Sequence, residues 1–216
     1  MLNGYLKIFK LTEVKPKVFL LDFKNNYDMA MYFLRYQEFY ESASPNFRGK
    51  QFILINFMEW YSKKYGKGVF TYPSDWAGFN IPGNIIKQIW DLGIMDRTKY
   101  DYVMKDVHDQ CAKKYDNFYL IGAVGKSHAL KHEIAHGFFY TIPEYKKEMT
   151  RLVKTLDENT YKSMCKSLKT MGYTPKVYID ECQAYLSTGL TEAFAVYLNK
   201  GKQKQFTSLY NKYYKV

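Results

Sequence analysis

The segment KHEIAHGFF, Lys131–Phe139, contains two histidines four residues apart, with a glutamate directly after the first. On a helix, side chains four apart lie one turn above each other, so His132 and His136 would point to the same side. Two neutral imidazoles in this arrangement can bind one cation. Glu133, rotated by about 100° around the helix, can lie beside the ion without binding it. Metal-assisted hydrolysis requires this combination of ligands and a nearby base.

A five-residue pattern with two free positions can occur by chance on an amphipathic helix. However, the chain has only four histidines, and three of them, His128, His132 and His136, fall on this one predicted helix. An apolar, glycine-bounded segment of residues 117–125 precedes it and predicts a strand. We therefore favour a metal site over a coincidental helix face.

Residues 132–136 read His-Glu-Ile-Ala-His, which resembles the HExxH motif of the zincin metallopeptidases. The resemblance implies a bound Zn²⁺, Glu133 as general base, and an edge strand before the motif helix. In that family the strand pairs with the backbone of an extended substrate, and residues 118–123 stand at its place. The resemblance covers about residues 117–200 and is specific only for the motif, and residues 1–110 resemble no subfamily.

The third ligand must come from elsewhere in the chain. No histidine follows His136, so the extended HExxHxxGxxH pattern of metzincins is absent, as is the GTxxD signature of aspzincins. The resemblance then implies a downstream glutamate, as in gluzincins. The segments DECQAY and TEAFAV each offer Glu-x-x-Ala, whose small residue permits close helix approach. We favour Glu181 and keep Glu192 as the alternative; Asp180 could orient either histidine.

Amide hydrolysis also needs a donor for the oxyanion that develops in the transition state. Gluzincins commonly use a tyrosine or histidine, and Tyr185 lies four residues after Glu181, on the same helix face. Tyr178 and Tyr140 are alternative donors. The chain has 22 tyrosines, so the residue type alone does not select one of them.

Two further side chains near the motif have less defined roles. His128, one turn before His132, could line the cleft or face solvent. Cys182 could complete a His₂Cys zinc site, but we interpret it as a small buried hydrophobic residue.

The charge of the chain bears on its partners. A net charge of +11 and a pI of about 9.3 invite a nucleic-acid interpretation. Only four of the 32 basic residues are arginines, however, and the lysines are dispersed along the chain. Bidentate phosphate recognition favours arginine. We interpret the charge as a solvated surface that allows weak acidic or nucleic-acid partners.

Cysteine usage and hydropathy bear on the compartment. The three cysteines are widely spaced, which argues against a disulfide framework and favours a reducing environment. The first residues contain no apolar leader, and no window is long and apolar enough for a membrane span. We expect a cytoplasmic protein that does not enter a membrane.

The elements that would position these residues predict an α+β, helix-dominated, zincin-like fold with a small sheet. We expect a single metallopeptidase-like domain over residues 1–216, with a helical and sheet part at 1–110 and a metal-binding part at 117–216. The predicted strands are 16–23 and 117–125, and residues 68–84 are predicted as a loop. The predicted helices are 26–41, 47–66, 85–95, 99–115, 128–140, 143–157, 158–172, 178–189, 190–201 and 205–216.

These features predict a zinc-dependent hydrolase, specifically a metallopeptidase that acts on a peptide or protein substrate. His132, His136 and Glu181 would hold Zn²⁺, Glu133 would be the base, and Tyr185 would assist catalysis. Two alternatives remain: a non-catalytic zincin-like binding protein whose metal is structural, and a basic nucleic-acid-associated protein with an incidental HExxH.

Overall fold

The computed structural model describes residues 8–125, 129–189 and 200–215. Apolar runs and helix caps determine where its strands and helices form. The strands are β1 (Phe9–Lys15), β2 (Val18–Phe23), β3 (Gly78–Pro82) and β4 (Tyr119–Val124). The helices are α1 (Asn26–Glu41), α2 (Leu54–Lys64), α3 (Tyr72–Asp75), α4 (Asn84–Leu92), α5 (Lys99–Ala112), α6 (Ala129–Thr141), α7 (Pro143–Val153), α8 (Glu158–Thr170), α9 (Tyr178–Thr188) and α10 (Lys200–Tyr214). The predicted α+β class with helix dominant is confirmed.

The chain divides into two compact units, Met1–Leu130 and Lys131–Val216. This boundary falls inside α6. The sequence instead predicts the border between the N-terminal part and the metal-binding part between residues 110 and 117. The prediction of a single domain stays a prediction.

The sheet of the first unit has the strand order β1-β2-β4-β3. The pairs β1/β2 and β3/β4 are antiparallel, and β2/β4 is parallel. The strand β4 is therefore internal, and the prediction that it is an edge strand is wrong. Its near-continuous burial is typical of a strand covered on both faces. Because both sides of its backbone are paired, β4 has no free edge to offer an extended substrate.

The prediction of a loop over residues 68–84 is also wrong, because this segment contains α3 and β3. Phe79 and Ile81 alternate into the core, which is the burial pattern of a strand. Pro82 ends the strand at the sheet edge, where a missing backbone N–H is tolerated. The other edge strand, β1, is absent from the predicted elements.

Helix α1 covers the sheet of the first unit. It begins at an Asn25 cap whose side chain accepts a 2.8 Å hydrogen bond from the Asp28 N–H. Its Phe33 ring packs so closely on β4 that a Cβ added at Gly122 would lie 2.6 Å from it. On another face, Arg35 forms a buried 2.9 Å ion pair with Asp101.

The second unit is helical in the part that the structure describes. Helix α9 packs against α7, α8 and α10 and ends at Gly189, whose left-handed φ of 79° suits glycine. The hydroxyl of Tyr210 on α10 donates a 3.1 Å hydrogen bond to the Lys131 carbonyl, beside the motif. The described residues contain no helix of sufficient length and hydropathy to traverse a bilayer.

Candidate metal centre

Helix α6 brings the two motif histidines together as their spacing predicts. The Nε2 atoms of His132 and His136 lie 3.1 Å apart, and the rings meet edge-on with centroids 4.7 Å apart. Both side chains are buried. Two nitrogen lone pairs repel at this separation, so the geometry requires a proton or a metal cation shared by the two rings.

Helix α9 supplies the third group, 45 residues further along the chain. The Glu181 carboxylate lies 3.7 Å from Nε2 of His132 through Oε2, and 3.7 Å from Nε2 of His136 through Oε1. One donor atom from each residue falls within 4.8 Å of the other two. The structure thus brings Glu181 to the histidines, while the alternative ligand, Glu192, lies outside the described residues.

The spacing of these donors can be compared with that of a metal site. Zinc–nitrogen and zinc–oxygen bonds of about 2.0–2.2 Å give tetrahedral ligand–ligand separations of about 3.3–3.6 Å. The two histidine nitrogens lie 3.1 Å apart, and each lies 3.7 Å from one of the two Glu181 oxygens, so the donors are spaced close to this range. Within the described ranges, Oε2 of Glu181 and Nδ1 of His132 are buried and lack hydrogen-bond partners. An unpartnered buried carboxylate oxygen is costly, and a cation would satisfy it, so the three residues fit a metal ion.

Asp180 contacts the opposite side of one histidine. Its Oδ1 lies 2.9 Å from Nδ1 of His136, which fixes Nδ1 as the proton-bearing nitrogen and directs Nε2 to the centre. Burial alone would lower the pKa of His136, but the carboxylates of Asp180 and Glu181 outweigh it and raise the pKa well above its ordinary value. A metal ion at this centre must therefore displace a proton from His136.

An amide that the sequence interpretation missed supports Asp180. Gln183, fully buried on α9, donates from Nε2 to Asp180 Oδ1 at 2.9 Å and to the Ala135 carbonyl at 3.3 Å. The hydroxyl of Tyr145 on α7 donates to its Oε1 at 2.8 Å. One signal could have indicated it: a glutamine between Cys182 and an alanine, in an otherwise apolar helix face, three residues after Asp180.

Tyr185 packs against the centre. Its ring meets that of His132 edge-on, with centroids 4.4 Å apart. Burial and the charge of Glu181 raise the pKa of Tyr185 to about 12. The charge of Glu133 adds to this shift, and a hydrogen bond with Tyr173 opposes it. The phenol therefore keeps its proton at neutral pH and can act as a donor.

Glu133 lies at the same centre without belonging to the ligand group. Its side chain is buried, and its charge contributes to the environment of both His136 and Tyr185. Among the described residues, the three donors that lie close enough to share an ion are those of His132, His136 and Glu181. A carboxylate beside the ligands but outside their group has the position of a general base.

The remaining sequence candidates are Cys182, Tyr178, Tyr140 and His128. Cys182 is fully buried and outside the donor cluster of the described residues, and burial raises the pKa of its thiol. This fits a small hydrophobic residue. Tyr178 is buried and Tyr140 is half-buried. His128 lies outside the described residues.

Comparison with known proteins does not assign the chain to a family. No protein-family model, no curated protein and no solved structure matches it. The zincin resemblance therefore depends on the HExxH motif, and the functional proposal on the geometry of its own residues.

Proposed function

We propose that this protein is a zinc-dependent hydrolase, specifically a metallopeptidase of the gluzincin-like type. One observation carries the proposal: two imidazoles and a carboxylate from separate helices converge on one buried point, with a second carboxylate next to the first histidine. If the HExxH motif were incidental, there would be no reason for the buried Glu181 carboxylate of another helix to lie beside both histidines.

The donor set favours zinc. Two imidazole nitrogens and one carboxylate oxygen are a usual donor set of catalytic zinc sites, which keep a fourth position for water or substrate. When bound, Zn²⁺ would polarise a substrate carbonyl and lower the pKa of a coordinated water to about 7.

The side chains around the centre have separate roles in this proposal. Glu133 accepts the proton of the attacking water and passes it to the leaving amine. Tyr185, protonated at neutral pH, donates a hydrogen bond to the developing oxyanion. Asp180 holds His136 in the tautomer that leaves Nε2 free to bind.

The experiment that tests the proposal is the substitution Glu133→Gln, assayed for zinc content and for cleavage of a mixed fluorogenic peptide library. We expect zinc content to stay unchanged and cleavage to fall by about 10²–10⁴-fold, as for loss of a general base. Glu158→Gln, an exposed glutamate on α8, is the matched control and should retain both.

Three results would contradict the proposal. Cleavage by Glu133→Gln at the wild-type rate would remove the assigned base. Zinc-loaded wild type that cleaves no peptide would favour the non-catalytic binding protein. Steeply salt-dependent nucleic-acid affinity without bound zinc would instead favour the nucleic-acid alternative. The cytoplasmic location and the weak acidic or nucleic-acid partners stay predictions from composition.

A further inference from the structure

We propose that Gln183 is a positioning residue of the metal centre, and that it acts through Asp180 on His136. The proposal rests on the metal centre described under the proposed function. Gln183 touches neither the metal-binding atoms nor substrate. Through Asp180, it orients Nε2 of His136.

The hydrogen-bond inventory of this amide is complete. A primary amide has two N–H donors and a carbonyl acceptor. Both donors are used, one on Asp180 Oδ1 and one on the Ala135 carbonyl. The carbonyl accepts from Tyr145. Because two of the three partners only accept, the amide has one satisfying orientation. Gln183 and Tyr145 are both fully buried, so water cannot replace these bonds.

The two ends of this amide lie beside metal ligands. Ala135 precedes His136 on α6, and Asp180 precedes Glu181 on α9. Gln183 therefore ties the backbone next to one ligand to the carboxylate next to another. These are the helices whose ligands, His136 Nε2 and Glu181 Oε1, lie 3.7 Å apart.

Asp180 needs this support because it is only partly buried. Its side chain is 23% exposed, whereas that of His136 is 3% exposed. Without Gln183, solvent would compete for the carboxylate, and its bond to Nδ1 of His136 would be made part of the time. The Nε2 lone pair would then be less well directed, and metal affinity would fall.

The first test is the substitution Gln183→Met, which keeps length and apolar bulk but removes every hydrogen bond. We expect Zn²⁺ and Co²⁺ to bind about 10–100-fold more weakly, the range for loss of a ligand's hydrogen-bonded support. We also expect the visible absorption of bound Co²⁺ to change as the ligand field changes. Unchanged affinity and spectrum would overturn the proposal.

The chain offers a matched control in Gln203. Its amide on α10 also donates to a backbone carbonyl of α9, that of Leu186. Gln203→Met therefore removes a hydrogen bond to the same helix at a half-buried position away from Asp180. Metal affinity should be unchanged in this control. An equal loss in both variants would mean that Gln183 matters only for helix packing.

A double-mutant cycle with Asp180→Ala tests the route of action. If Gln183 acts through Asp180, Gln183→Met should weaken metal binding in wild type and cause no further loss in Asp180→Ala. If Gln183→Met lowers metal affinity by the same factor in wild type and in Asp180→Ala, Gln183 does not act through Asp180.

A metal-free measurement separates this proposal from the proposed function. In the apo protein, Nδ1–H of His136 should give a slowly exchanging imidazole resonance, assigned by its absence in His136→Ala. Gln183→Met should broaden or remove it, and Gln203→Met should not. If wild type binds no metal, the proposed function is refuted. The role of Gln183 is then tested by this resonance alone. An unchanged resonance in Gln183→Met would refute it.

Discussion

Replacement of the third ligand should remove most of the stabilisation that zinc gives to the folded protein. Zinc at 100 times its Kd stabilises the folded state by about 2.7 kcal/mol. For a chain of 216 residues, each kcal/mol raises Tm by about 2–4 °C, so wild type should gain about 5–11 °C. In Glu181→Gln, an amide replaces the carboxylate that lies 3.7 Å from both imidazoles.

The size of the loss follows from the ligand's position. Removal of an outer hydrogen-bond partner costs about 10–100-fold in affinity, so removal of a direct ligand should exceed about 100-fold. At the same zinc concentration the remaining stabilisation would be at most about 0.4 kcal/mol, or about 1–2 °C.

Thermal unfolding in metal-buffered solution, with and without zinc, measures both shifts. Glu158→Gln on α8 is the control and should keep the wild-type shift. A full zinc-dependent shift in Glu181→Gln would refute Glu181 as a ligand. No shift in wild type would refute the metal centre itself.

Three further predictions concern the first unit. Arg35→Met should lower the free energy of unfolding by about 3–5 kcal/mol in urea titrations, because it leaves the Asp101 carboxylate buried without its cation; adding Asp101→Asn should recover part of the loss. Burial raises the pKa of Glu38 above 4.5, so the stability present at low pH is lost as pH rises through that raised pKa. Glu38→Gln should therefore stabilise more at pH 8 than at pH 4, and an equal urea midpoint shift at both would contradict this. Gly122→Ala would place a Cβ 2.6 Å from the Phe33 ring and should cost about 1–3 kcal/mol; an unchanged Tm would contradict the close packing.

Local signals were sufficient for the ends of individual helices. Asn25 can cap a helix through its side chain, and Gly189 can adopt a left-handed φ. The structure begins α1 beside the first and ends α9 beside the second. The four-residue spacing of His132 and His136 placed both rings on one side of α6 because helix geometry alone determines it.

Long-range pairing was not predictable from the same signals. The strand β3 is formed by residues 78–82, and its partner β4 lies about 40 residues further along the chain, so no local turn indicated the pairing. The resemblance placed β4 at an edge, whereas β2 and β3 flank it. The role of Gln183 depends on three partners from three helices, and no spacing in the sequence indicates that convergence.

One divalent cation should bind between α6 and α9 through two imidazoles and a carboxylate. Anomalous scattering at the zinc edge, on crystals of zinc-loaded protein, tests it most directly. We predict one peak with Nε2 of His132, Nε2 of His136 and a Glu181 oxygen at about 2.0–2.2 Å. Imidazole rings that point apart, or a zinc peak that lies away from these three residues, would contradict the account.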